Sequence, residues 1–162
     1  MMTTALIEAS RSELSTLFAA ELPALERLQS LLEREHQALV DMDFATISDT
    51  SIEKGDALAA LAPMQRARRE ILRRAGVSEN ADGLQTLLDR CADERLRGLS
   101  DRIVSITADC RTLNLKNGVQ IKKSQRFVGG ALDCLIGGEQ GGYYSAQGAK
   151  ASGREGRSIT SA

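Results

Sequence analysis

The chain has 162 residues and a formal net charge of −1 at pH 7, which suits one domain and argues against a generally basic nucleic-acid binder, since phosphate neutralisation needs surplus Lys and Arg. Aromatics make up 3% of residues, Trp is absent and Pro occurs twice. With Leu, Ala, Glu and Arg plentiful, that composition predicts an all-α fold of long helices joined by aliphatic seams.

Residues 3–42 carry the first helical pattern, with Leu14, Phe18, Leu25, Leu28, Leu32, Leu39 and Met42 recurring at threes, fours and sevens on one face. Pro23 removes a backbone donor and predicts a kink there, or the start of a new helix. Asp41 and Asp43 are N-cap candidates for a second helix, whose apolar positions Phe44, Ile47, Leu58, Leu61, Ile71 and Leu72 lead to Gly76, a left-handed C-terminal residue. Pro63 predicts a second kink. Residues 76–83 are rich in turn formers and connect onward, with a short helical turn at 84–88.

The third pattern is the most regular. Leu96, Leu99, Ile103, Ile106, Cys110, Leu113, Asn117, Gln120, Ser124, Phe127, Ala131 and Cys134 alternate by three and four, a heptad seam from about residue 93 to 136. A helix of that length spans roughly 65 Å, so part of its seam is expected to be left for another protein. The half from 96 to 113 is apolar and suits internal packing; the half from Asn117 onward is polar or small at every other position. The expected architecture is an antiparallel, coiled-coil-like bundle of about three long helices over 1–136. Residues 137–162, rich in Gly, Ser and charge, read as a flexible tail with Tyr143, Tyr144 and Ile159 as its only anchors.

Chemistry is sparse. His36 is the only histidine, which removes multi-His metal sites, and its place between Glu35 and Gln37 reads as a solvated surface. The pairs Asp41 with Asp43 and Asp93 with Glu94 suit helix starts better than acid–base catalysis. Cys91, Cys110 and Cys134 lack ligand spacing and read as reduced thiols, with Cys110 and Cys134 on the helix seam. The Gly-rich run 137–142 follows no strand and lacks the Lys-Ser/Thr of a phosphate loop. No cofactor or enzymatic activity is expected. No membrane-spanning apolar window and no secretion signal are seen, so a cytoplasmic setting is expected. Arg66, Arg68, Arg69, Arg73 and Arg74 form the densest charge cluster; a solvated face, an acidic protein partner and nucleic acid remain open for it, the last without an aromatic platform.

Asn117-Gly118 has helical flanks and therefore sits in the third helix, where Gly118 costs about 1 kcal/mol relative to Ala. Local flexibility, close approach of a partner helix and an Asn fixing register are the readings it leaves open. At these residues the sequence resembles the FlgN family of flagellar export chaperones, through Asn114-Leu115-Lys116-Asn117-Gly118 followed by Ile121. The segment from Tyr144 to Gly148, with Ser145 where the family has glycine, the ending Gly156-Arg157-Ser158-Ile159, and Glu53, Lys54, Leu58 and Leu61 extend the likeness.

The resemblance implies a chaperone for the hook-filament junction proteins FlgK and FlgL that delivers them to the export gate FlhA. Client binding is then expected at Leu113, Asn114, Asn117, Gly118, Gln120, Ile121, Ser124, Phe127 and Ala131, where a heptad face can receive an amphipathic helix. Gate docking is expected at Tyr143, Tyr144 and Gly148. The competing class is a helical structural or regulatory adaptor, with nucleic-acid binding through the Arg cluster as one form of it.

Overall fold

The computed structural model describes residues 3–137, with side chains as far as Leu132. The described residues form four helices: α1 (Thr4–Asp41), α2 (Phe44–Arg74), α3 (Ala81–Cys91) and α4 (Glu94–Gly137). The all-helical expectation holds for the described residues, but the expected count of about three helices becomes four: α1, α2 and α4 are long, and the turn expected at 84–88 is the middle of α3, an 11-residue helix.

Each helix starts where a short polar side chain takes an otherwise orphaned amide. The Thr3 hydroxyl accepts from Leu6 N at 3.4 Å, Asp43 Oδ1 from Thr46 N at 3.1 Å, Asn80 Oδ1 from Gly83 N at 3.0 Å and Asp93 Oδ1 from Leu96 N at 3.0 Å. Asp43 also accepts from the Thr46 hydroxyl at 2.6 Å, and these bonds hold its carboxyl below the ordinary aspartate range. Both α1 and α2 run uninterrupted through Pro23 and Pro63, so neither proline starts a new helix.

The helix ends are equally local. Met42, expected on the apolar stripe, instead ends α1 in the left-handed region (φ 57°) and is 56% exposed. Gly76 (φ 66°) closes α2, with Val77 N bonding Leu72 O at 3.2 Å and Gly76 N bonding Arg73 O at 3.1 Å, the two bonds of a Schellman motif. Gly83 is required by space, because a Cβ there would lie 1.8 Å from the Ser78 carbonyl oxygen.

Ion pairs give the directions. Near the α1–α2 turn Arg34 meets Glu53 and Glu35 meets Lys54; farther from it Glu21 meets Arg68 and Glu13 meets Arg74. The two helices are therefore antiparallel. Within the first 123 residues α4 runs alongside α1 in the same direction, since Arg102 pairs with Glu26 at 2.9 Å and Asn117 reaches Leu32 and Glu35. One apolar cluster joins all four helices, with Leu14, Phe18, Leu72, Leu87 and Leu96 almost wholly excluded from solvent.

The chain divides into two units, Met1–Lys123 and Ser124–Ala162. The described part of the second is the helix over 124–137. Gly137, expected to open the tail, is the last residue of α4; the rest of the expected tail lies outside the described residues.

Candidate functional site

Within the first unit, α4 presents Leu96, Ile103, Cys110 and Asn117 to the interior, four positions seven apart and all buried. The first three are apolar or nearly so. Cys110 Sγ lies 4.0 Å from Leu25 O, and burial pushes its thiol pKa up, which keeps it protonated and a poor nucleophile. Cys91 is also buried, with its thiol shifted upward by the same cause.

Asn117 differs from the layers before it. Its side chain is 1% exposed, and Nδ2 donates to Leu32 O at 2.9 Å and to Glu35 Oε2 at 2.8 Å. Its Oδ1 pairs at 2.9 Å with His36 Nδ1, which is then the protonated ring nitrogen. Glu35, itself 2% exposed, uses its other oxygen to accept from Lys54 Nζ at 2.7 Å. Four side chains from three helices are thus linked, with Asn117 and Glu35 enclosed and His36 and Lys54 half-buried. A carboxylate at such depth is tolerated because it is both charge-paired and hydrogen-bonded.

His36 is therefore half-buried and bonded to Asn117, a correction to the solvated surface expected for it. The signal that would have found Glu35 lies in the first helix. The series Leu14, Phe18, Glu21, Leu25, Leu28, Leu32, Glu35, Leu39 alternates by four and three, so both acids occupy seam positions. Each is buried, Glu21 by pairing with Arg68, whose guanidinium also stands 5.4 Å over the Phe18 ring.

The residues expected to receive a client fall into two groups. In the first unit, Leu113 packs against the core, Asn117 is enclosed, Gln120 and Ile121 are half-buried, Gly118 is half-buried with open space beside its Cα, and Asn114 is exposed. The inward face of α4 there is occupied by α1 of the same chain. In the second unit Ser124 is half-buried, while Phe127 (69%) and Ala131 are exposed together with Val128 and Leu132, which sequence periodicity did not single out. Tyr143, Tyr144 and Gly148 lie outside the described residues.

The arginine cluster is largely engaged within the chain: Arg68 with Glu21, Arg73 with Glu70 at 2.6 Å, and Arg74 with Glu13. These contacts hold the Glu70 carboxyl below and the Arg73 and Arg74 guanidinium groups above their ordinary pKa ranges. Among the described residues no cluster of His, Cys, Asp and Glu could hold a metal ion, and no helix is long and apolar enough to cross a membrane.

Long helices locked through heptad layers define a coiled-coil-like, all-helical bundle protein. A family model described as FlgN protein matches residues 1–152, and the chain belongs to the FlgN family, a family of flagellar export chaperones rather than enzymes. No curated protein and no solved structure matches it.

Proposed function

We propose that this chain is a cytoplasmic carrier of the hook-filament junction proteins FlgK and FlgL, which receives their amphipathic terminal helices, keeps them from assembling early and hands them to the export gate FlhA. The observation that carries this reading is the set of exposed apolar side chains Phe127, Val128 and Leu132 near the end of α4 in a member of a chaperone family. Covering one such side chain is worth about 1.5–3 kcal/mol, so an amphipathic helix laid along this segment gains affinity without any covalent step.

Phe127 and Ala131, with Val128 and Leu132, then supply the contact. Asn117 acts from the interior by setting the register of α4, and Leu113, Gln120 and Ile121 support the helix from the same side. Ser124 adjoins the contact within the second unit, while Asn114 and Gly118 belong to the first. Tyr143, Tyr144 and Gly148 serve the gate, in keeping with isolated aromatics in a glycine-rich segment suited to brief contacts. The nucleic-acid form of the adaptor reading loses support because three of the five clustered arginines already meet carboxylates.

Calorimetry with purified FlgK and FlgL tests the assignment. Phe127→Asp should weaken client binding by at least about tenfold with helicity unchanged, because the charge would have to be buried unpaired. Tyr144→Ala should spare the client and reduce capture by FlhA. Loss of client binding in Tyr144→Ala, with Phe127→Asp binding normally, would reverse the two roles.

A further inference from the structure

The turn joining α1 to α2 carries a second group of exposed apolar side chains. Only Met42 and Asp43 separate the two helices, and the amides of both donate to Ala38 O, the Asp43 bond at 2.9 Å. Asp43 then caps α2, so hydrogen bonds fix the turn on either side. Within five residues of this corner Val40, Met42 and Phe44 are 53%, 56% and 68% exposed. Ile47, half-buried, stands one turn from Phe44 on the same face of α2.

The charge around this group is one-sided. Residues 35–53 hold five carboxylates and no Lys or Arg, in a chain whose net charge is −1. Glu35 and Glu53 are paired with Lys54 and Arg34, whereas Asp41, Asp43 and Asp49 form no ion pair among the described residues. Asp41 accepts from Gln37 and Asp43 from Thr46, neutral donors that leave the negative charge in place. That charge discriminates among occupants. Anionic lipid and nucleic acid are repelled, and two copies of this chain meeting turn to turn would oppose like charges. A cationic segment is attracted, and its apolar side chains meet Val40, Met42 and Phe44 on a turn whose backbone is already ordered.

We infer that the turn over residues 40–47 is a docking surface for a cationic, apolar segment of a partner protein, distinct from the client contact proposed on α4. Phe44 supplies the aromatic anchor and Met42 an adaptable thioether, while Asp41, Asp43 and Asp49 meet Lys or Arg of the partner. Met42 gives the surface a signature. Its left-handed backbone favours glycine, yet at 56% exposure its side chain gains little packing within the chain. A glycine there relaxes the turn and removes the contact, so stability and binding change in opposite directions.

The test uses the full chain and two synthetic peptides with the same leucine spacing, one carrying Lys and the other Glu, with binding read by fluorescence anisotropy. The Lys peptide should bind and weaken as salt rises, while the Glu peptide should not bind. Phe44→Ser should weaken the Lys peptide by at least about tenfold with unchanged circular dichroism. The triple change Asp41→Asn, Asp43→Asn and Asp49→Asn, which keeps a capping side chain at position 43, should do the same. Met42→Gly should raise the urea midpoint of unfolding and still weaken the peptide, which a purely structural turn residue would not do. FlgK binding should survive all three variants; its loss with the peptide would make this the client contact and overturn the inference. Equal binding of the two peptides, no binding of the Lys peptide, or unaffected binding in Phe44→Ser and the Asn variant would also overturn it. So would self-association, or binding to phosphatidylglycerol vesicles, that Phe44→Ser abolishes while the Lys peptide is ignored.

Discussion

Leu96, Ile103 and Cys110 occupy the same helical position as Asn117, one heptad apart, yet the two regions hold α4 in different ways. Apolar layers are tolerant. A leucine ridge gains nearly the same burial one turn up or down, so such layers fix that the helices pack and say little about where. The Asn117 layer is intolerant, because its donors and acceptor meet Leu32 O, Glu35 and His36 in only one alignment. The difference teaches that apolar layers supply burial along the bundle, while the Asn117 layer adds hydrogen bonds that fit one register.

The largest effect is expected on the apolar side. Phe18→Ala should lower unfolding free energy in urea by about 3–5 kcal/mol, through the cavity left by a fully enclosed ring and the loss of its contact with Arg68. A smaller loss would mean that the apolar layers collapse easily, blurring the contrast. Asn117→Ala should cost about 1–3 kcal/mol, because buried acceptors on Leu32 and Glu35 lose their donor. Asn117→Leu sharpens the point: stability near wild type with faster amide exchange along α4 would separate register from stability, whereas unchanged exchange would show that the polar layer fixes nothing. The smallest effect concerns the hairpin that carries both layers. Met42→Gly should stabilise by about 1 kcal/mol, since Met42 is held at φ 57° where a side chain is strained.

Much of this was legible in the sequence because it is local. Asp43, Asp93 and Gly76 act within a few residues of themselves, and the α4 heptads mark both the helix and its inward face. What was not legible is what the inward face meets. Asn117 reads equally as a residue awaiting a partner or one already satisfied, and only the neighbouring helix decides. Glu35 and Glu21 show the same limit from the other side: acids at seam positions break the apolar pattern, and their meaning depends on Lys54 and Arg68, distant in sequence. Met42 was misplaced because periodicity continues past the point where the backbone turns left-handed. The exposed set at Phe127, Val128 and Leu132 needed the burial of each side chain to be known.

The most direct measurement is amide hydrogen exchange on the full chain with and without FlgK. The account predicts that amides around Asn117 are protected in the free protein and change little, while those over residues 124–132 gain protection when FlgK is added. New protection at the Asn117 layer, with residues 124–132 unchanged, would contradict it.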